Sequence, residues 1–331
     1  MAKSRALDKR RKSVRSIRKI TRTMELVATA QFKKAMEKAV AADAYTKRLV
    51  GLVHDLTESG EPLMHPLLSE RKQDRSQKDV TLLVLSANRG MCGGFNAGVM
   101  RLAANRLKSF QKDYAGVSLE VSGKRGISAF RFRGTNIDQS YTELQDKPTL
   151  DQISKLADHY LELFITDKID RLDVCYTKFE LISKQYAVIE TLLPITELTV
   201  EGDVNAMKDE QSADLKKAAL VKKADQVTAD GTDKGVAGLK ARGNHNLFEF
   251  LPSTESILEE LIPKAFKAKL FKCFLDSAVS EQIARMVAMK SATESADKMI
   301  GLLTTSYNRA RQSQITNEIL EIISGADALA N

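Results

Sequence analysis

The segment whose residue types could do chemistry is the glycine-rich turn at residues 88–94, Asn-Arg-Gly-Met-Cys-Gly-Gly. It follows a predicted strand and opens a predicted helix, the position where a nucleotide phosphate sits in many α/β proteins. The turn has neither the GK[ST] ending of a phosphate-binding loop nor the GxGxxG spacing of a dinucleotide turn. Its glycines therefore predict a tight strand-to-helix connection with close packing, and no cofactor site.

Isolated nucleophiles and metal ligands do not change this interpretation. Cys92 could be a reactive thiol, because a helix N-terminus lowers the thiol pKa, but we favour a packed small side chain. The four histidines show no HxH or HExxH spacing and no paired cysteines, so a metal site is not expected. No GxSxG nucleophile turn occurs either. We predict that the chain has no catalytic residue and is not an enzyme.

Composition limits the class of protein. The chain has 331 residues with 43% hydrophobic content, enough for two domains, and its lack of Trp and 6% aromatic content favour helical packing. Three distant cysteines argue against a disulfide framework and for a reducing compartment. Since no run of 18 apolar residues occurs, we expect no direct membrane insertion.

The formal net charge of +8 is concentrated at the N-terminal end, where residues 1–22 hold ten Lys and Arg side chains against Asp8 alone. Such a field attracts nucleic acid, anionic lipid or an acidic protein surface. Residues 1–31 contain no aromatic side chain to stack on bases, so nucleic acid is disfavoured. A transit peptide is also disfavoured, because the helical pattern continues past residue 22.

The N-terminal segment is predicted to be one long helix over residues 1–60. No Gly or Pro occurs before Gly51, and apolar or small residues recur at heptad a and d spacing. The predicted heptad positions are Val14, Ile17, Thr21, Met24, Ala28, Gln31, Ala35, Lys38, Ala42, Tyr45, Leu49 and Leu52.

The C-terminal segment is predicted to be a second long helix over residues 253–329, with Ser253 at its start. Past Arg311 its apolar stripe changes register, so the last turns should meet a different surface. The stripe runs through Met286, Met289, Thr293, Ala296, Ile300, Leu303, Tyr307 and Ala310, and then Ile315, Ile319, Ile322 and Ile323. Neither helix is apolar enough to stand alone. We expect them to pair as an antiparallel coiled coil; two unrelated helices or a bundle arm is the alternative.

The middle of the chain alternates predicted strands and helices, which indicates a Rossmann-like α/β domain with a largely parallel sheet at residues 78–195. Strands are predicted at 80–85, 117–121, 172–179 and 186–193, and helices at 96–112 and 150–167. Residues 201–246 have no aromatic side chain, which predicts a polar, flexible insert. The fold class is thus an α/β domain plus an all-α two-helix coil formed by both termini.

Four segments resemble the gamma subunits of F-type ATP synthase. They occur in that family's order and spacing over nearly the whole chain: SIRKITRTMELVA at 16–28, NRGMCGGFN at 88–96, SEQIARMVAMK at 280–290 and YNRARQSQIT at 307–316. The resemblance implies a central rotor stalk whose paired helices enter a ring of alpha and beta subunits. Catalysis then belongs to the beta subunits, and the stalk is non-catalytic.

The resemblance also implies partners and contact residues. Arg285, Gln312 and Thr316 would face loops of the catalytic subunits, and the helix carrying Met24 would lie in the same zone. Removing Arg285 should spare folding if the apolar stripes of the two helices are what holds them together. The α/β domain would lie near the epsilon subunit and the membrane ring of c subunits. The complex would be proton- or sodium-driven and bound peripherally to the cytoplasmic face of a bacterial membrane.

Three isoleucines of the C-terminal stripe, Ile319, Ile322 and Ile323, are expected in an apolar sleeve of the surrounding ring. Two features depart from the family pattern: Asn88 stands where Asp is usual, and the 201–246 segment looks surplus. The cysteine pair of plastid relatives is missing, so thiol regulation is not supported. A nucleic-acid-bridging coiled coil and a nucleotide-dependent α/β enzyme with helical arms remain the alternatives.

Overall fold

The structure, a computed structural model, describes residues 2–58, 67, 79–144, 148–195 and 254–330. The predicted insert at 201–246 and the predicted start at Ser253 lie outside these ranges. The elements in chain order are α1 (Ala2–Glu58), β1 (Asp79–Leu85), α2 (Phe95–Asp113), β2 (Gly116–Ser122), α3 (Lys124–Phe132), β3 (Gln139–Tyr141), α4 (Leu150–Ile165), β4 (Arg171–Leu181), β5 (Lys184–Leu193) and α5 (Thr254–Ala330). The division into four segments stays a prediction.

The strands form one five-stranded sheet in the order β3-β2-β1-β4-β5. β1 pairs in parallel with β2 and β4, and β2 pairs in parallel with β3. β5 is antiparallel to β4, because only two residues, Ile182 and Ser183, join them, and a connection that short can only reverse the chain. The predicted Rossmann-like, largely parallel sheet is confirmed.

Helices cover both faces of the sheet, which explains why β1 is mostly apolar and is buried without interruption from Val80 to Leu85. On one face, Val99 and Phe110 of α2 and Phe130 of α3 pack against β1 and β2. On the other face, α4 and α5 contribute Tyr160 and Phe274. The first third of the C-terminal helix, around residues 262–274, is therefore part of the core of the α/β domain.

The two long terminal helices pair antiparallel, as predicted. The Thr293 hydroxyl donates to the Thr21 hydroxyl oxygen at 2.8 Å, and the Ser4 hydroxyl donates to the side chain of Gln314 at 2.7 Å. Residues later in α1 therefore contact residues earlier in α5, which is the antiparallel arrangement. A small apolar cluster around Val14 joins the helices between these bonds. α1 has 57 residues, which corresponds to about 85 Å of helix.

The buried positions of α5 agree with its predicted apolar stripe. Those of α1 agree with its predicted heptad positions only in part. The buried or half-buried α5 positions include Met289, Thr293, Ala296 and Leu303, as predicted. On α1, one predicted row is buried at Val14, Thr21, Ala28 and Leu49. The other row is exposed at Ile17 (52%) and Tyr45 (54%), while Asp43 and Thr46 are buried instead. A helix with 3.6 residues per turn drifts off a strict heptad, so a single partner helix covers different positions along its length.

Candidate functional site

The glycine-rich turn packs against α5. Gly93 has φ +55°, a left-handed conformation that favours glycine, and a Cβ placed there would lie 3.8 Å from the Cβ of Ala288. Ala284 packs into a small apolar cluster with Cys92 and Phe95 at the carboxyl end of β1. That edge is where open α/β sheets bind ligands, and here α5 occupies it. The predicted structural role of the turn is confirmed.

Asn88 makes two hydrogen bonds that tie the turn to neighbouring loops. Its amide nitrogen donates to the carbonyl of Thr142 at 3.0 Å, and its amide oxygen accepts from the backbone N–H of Lys124 at 3.1 Å. A carboxylate could accept from Lys124 but could not donate to Thr142. The Asn found where the family usually has Asp therefore has a structural use in this chain.

The three cysteines are buried, and burial disfavours the thiolate form of each. Cys92 is 2% exposed and accepts a hydrogen bond from the side-chain nitrogen of Asn96, and burial raises its thiol pKa. Burial also raises the pKa of Cys175 to about 12. The prediction of a packed side chain at Cys92 is confirmed. Among the described residues, no group of three or more His, Cys, Asp or Glu side chains could hold a metal ion.

Arg285 is bound inside the chain. It is 8% exposed, and its guanidinium binds the Glu281 carboxylate at 2.6 Å and the Gln282 side chain at 3.1 Å. A longer bond of 3.5 Å reaches the carbonyl of Arg89 in the glycine-rich turn. Arg285 thus joins α5 to the α/β domain. Since its removal would take a cation from the buried Glu281, the expectation that folding is indifferent to Arg285 does not fit this structure.

Gln312 and Thr316 lie on an exposed part of α5, far from Arg285. The Thr316 hydroxyl donates to the backbone carbonyl of Gln312 at 3.0 Å, one turn earlier. At 1.5 Å per residue, Gln312 lies about 40 Å along the helix from Arg285. The structure therefore places these residues at two levels and does not bring them together.

Met24 is half-buried on α1, one turn from the bond between Thr21 and Thr293. The antiparallel register puts it across from the α5 segment that follows Arg285. Met24 and Arg285 thus belong to the level nearer the sheet, which we call the collar level. Gln312 and Thr316 belong to the level farther from it, which we call the tip level.

The C-terminal isoleucines form an exposed apolar stripe. Ile319 is 50%, Ile322 is 72% and Ile323 is 52% exposed. They lie past Gln314, which is bonded to Ser4 near the first described residues of α1. Apolar side chains that repeat along an exposed helix without intrachain cover are typical of a partner-binding surface.

The basic residues of α1 mostly point away from α5. Arg10, Arg15, Lys19 and Arg22 are exposed, while Arg18 forms an ion pair with Asp297 and Arg11 stacks on the Tyr307 ring at 4.6 Å. The positive charge therefore lies on the outside of the helix pair. In the described part of the chain, no helix is long and apolar enough to cross a membrane.

Sequence reasoning missed a buried polar junction below the collar level. Lys272 of α5 binds the Asp43 carboxylate of α1 at 2.6 Å, and Asp276 lies one turn further along α5. The spacing of Lys272 and Asp276 by four residues was a usable signal, since such pairs share a helix face. The burial of Asp43 could not be seen in the heptad pattern.

The paired terminal helices and the small sheet, whose carboxyl edge is occupied by α5, define an α/β protein with a two-helix arm. Residues 3–329 match the family model described as ATP synthase. An ATP synthase gamma chain of Rhodopirellula baltica is 50% identical over 329 residues, covering 99% of each chain. One of Leptospira biflexa is 36% identical over 330 residues and 100% of each chain. The chain belongs to the gamma chains of ATP synthase and is a central-stalk subunit.

Solved structures agree on the fold. A chain of the Euglena gracilis mitochondrial ATP synthase OSCP/F1/c-ring assembly has a TM-score of 0.59 at 16% identity, covering 99% of this chain and 95% of that one. A chain of the Tetrahymena thermophila central stalk and c-ring has a TM-score of 0.52 at 18% identity, covering 82% and 99%.

Proposed function

We propose that this chain transmits torque between ion flow through a membrane sector and ATP synthesis or hydrolysis on catalytic beta subunits. The observation that carries the proposal is the exposed isoleucine stripe of α5 past Gln314, a surface without cover among the described residues. An apolar sleeve in a ring of alpha and beta subunits would cover it and act as a bearing. The nucleic-acid and enzyme alternatives have no comparable support.

The two contact levels give the shaft two places to act on a ring. At the tip level, exposed Gln312 and Thr316 would meet catalytic loops directly. At the collar level, Arg285 would act mainly by holding α5 against the glycine-rich turn, with Met24 on the facing helix. Rotation changes which ring subunit meets each level, and a site's nucleotide affinity can follow shaft angle only through such differential contacts.

The outward-facing cations of α1 would strengthen this dependence. Arg15, Lys19 and Arg22 are exposed on one helix of an off-centre pair, so their field is asymmetric about the shaft axis. At a surface-like dielectric, two unit charges 4 Å apart interact by about 4 kcal/mol before screening. Acidic loops of a surrounding ring would therefore experience attraction that varies with angle.

The remaining assignments follow from the proposed role. Partners would be the alpha and beta subunits of the ring, the epsilon subunit and the membrane ring of c subunits, the last two on the α/β domain. The complex would lie on the cytoplasmic face of a bacterial membrane, with this chain peripheral. Segments 1–60 and 253–329 would form the shaft, and 78–195 would form its base.

The testing experiment compares ATP hydrolysis by the purified chain alone with hydrolysis after mixing with alpha and beta subunits. We expect no turnover by the chain alone and sustained turnover by the mixture. A mixture that lacks this chain is the control, and it should hydrolyse ATP more slowly at steady state. Turnover by the chain alone, or a mixture indifferent to its addition, would overturn the proposal.

A further inference from the structure

The buried polar junction connects the shaft to the sheet. The Lys272 ammonium lies 2.6 Å from one carboxylate oxygen of Asp43, and Lys47 lies 3.4 Å from the other. Among the described residues, this junction and the pair of Arg18 with Asp297 are the ion pairs that link α1 to α5. Of these two ion pairs, the junction is the one next to the sheet. A torque applied to the α/β domain would therefore be transmitted to both helices near this point.

One oxygen of the Asp276 carboxylate is buried beside this junction without a hydrogen bond to any described residue. Asp276 is 5% exposed, and the oxygen without a hydrogen bond is Oδ2. A buried carboxylate without a bonded partner is costly in its ionised form. Burial accordingly raises the pKa of Asp276 to about 7, with Asp43 and Glu190 raising it further and Lys272 and Lys178 opposing them.

Charged groups of α1, β4, β5 and α5 act on Asp276. The Tyr176 hydroxyl of β4 donates to Glu190 of β5 at 2.7 Å, and Lys269 of α5 lies 3.3 Å from Glu190. These bonds engage Glu190 with partners other than Lys272. Among the described residues, the groups that interact electrostatically with Asp276 are Asp43, Lys178, Tyr176, Glu190, Lys272 and Cys273. Lys47 and Lys269 act on it through their own partners, Asp43 and Glu190.

We propose that Asp276 is a positioning residue for torque transmission, because its protonation decides whether Lys272 is held by Asp43 alone or shared between two carboxylates. With Asp276 neutral, Lys272 ties α1 to α5 through Asp43. With Asp276 ionised, a second anion on the same helix face competes for the ammonium and repels Asp43. The tie between the helices beside the sheet is then weaker. The inference rests on the proposed function.

The test uses the reconstituted ATP synthase complex with the wild-type chain or with Asp276→Asn, a neutral side chain of similar shape. Ions pumped per ATP hydrolysed are measured between about pH 6 and about pH 8, where a group with a pKa near 7 passes from mostly neutral to mostly ionised. We expect the wild-type ratio to fall as pH rises, with a midpoint near 7, and the ratio of the variant to lack that component. Asp43→Asn is the control and should lower the ratio across the whole range. Coincident wild-type and Asp276→Asn profiles would overturn the inference.

A second measurement keeps the inference testable if the variant assembles poorly. The pH difference infrared spectrum of the wild-type chain should show a carboxylic acid that ionises near pH 7 and is absent from Asp276→Asn. Its absence from the wild-type chain would overturn the inference. If the chain fails to stimulate hydrolysis by alpha and beta subunits, the proposed function fails. If it stimulates hydrolysis and the two pH profiles coincide, only this inference fails.

Discussion

The guanidinium of Arg285 lies 2.6 Å from the carboxylate of Glu281, one turn earlier on α5, and the two side chains are 10% and 2% exposed. Because both are buried, this pair is less screened than a surface ion pair. The same guanidinium reaches the carbonyl of Arg89. Arg285 is therefore a structural link between the shaft and the glycine-rich turn as well as a candidate contact with a ring.

Arg285→Ala should consequently affect folding and coupling together. Losing a charge-assisted hydrogen bond beside a buried carboxylate should lower the free energy of unfolding by about 1.5–3 kcal/mol. Urea unfolding of the chain measures this cost. In a reconstituted complex, steady-state turnover should fall more than single-site hydrolysis, which needs no rotation.

Arg285→Lys is the matched control, because it keeps the charge that Glu281 binds but loses the planar fork. We expect it to recover most of the stability and part of the coupling. An Arg285→Ala chain as stable as wild type would contradict the structural role. Equal losses in steady-state and single-site hydrolysis would remove the role in rotation.

Ile322→Asp should weaken assembly while leaving the chain folded. Ile322 is 72% exposed in the chain, so a carboxylate there costs little before assembly. Inside an apolar sleeve, the same unpaired carboxylate should cost several kcal/mol. Thermal unfolding of the chain and its affinity for an alpha and beta ring are the two measurements. Ile322→Leu should assemble normally, and an Ile322→Asp chain that assembles equally well would exclude the sleeve.

Two adjacent glycines of the turn should respond differently to alanine. Gly93 has φ +55°, whereas Gly94 has φ −83° and no atom within 4 Å of an added Cβ. Gly93→Ala should therefore lower the free energy of unfolding by about 1 kcal/mol, and Gly94→Ala should change it little. Urea unfolding of the two variants tests this. Equal effects would show that backbone conformation at Gly93 is not the cause.

Asn88→Asp should destabilise the chain. The substitution removes the amide that donates to the Thr142 carbonyl and puts a carboxylate oxygen beside that carbonyl. We expect a loss of about 0.5–1.5 kcal/mol in the free energy of unfolding, larger at neutral pH than below the carboxyl pKa. Urea unfolding at both pH values measures it. An Asn88→Asp chain more stable than wild type would mean that the bond to Thr142 is not formed in solution.

Long periodic segments were predictable from sequence, and short ones were not. The two terminal helices and strands β1, β2, β4 and β5 follow from apolar runs with clear limits. The nine-residue helix α3 and the three-residue strand β3 did not, because each is too short to show periodicity against its neighbours. They are stabilised by contacts distant in sequence, such as the bond from the Tyr141 hydroxyl to Glu120.

The candidate site was predictable as a set of positions but not as geometry. The resemblance identified Arg285, Gln312 and Thr316, and their numbering already implied separation along one helix. Whether Arg285 faces outward depends on where Glu281 and the turn carbonyl of Arg89 lie, which requires the packing of α5 on the sheet. The exposure of Ile17 likewise depends on the angle between α1 and α5. The sequence pattern of one helix does not determine that angle.

Rotation of this chain inside a ring is tested most directly by single-molecule observation. Cys92, Cys175 and Cys273 are buried, so a cysteine introduced by Lys108→Cys at an exposed position of α2 would direct a probe to the base. With the ring fixed to a surface and ATP supplied, we predict rotation of the probe in one direction, in three equal steps per turn. Sustained ATP hydrolysis by complexes whose labelled chain stays at one angle would contradict the account.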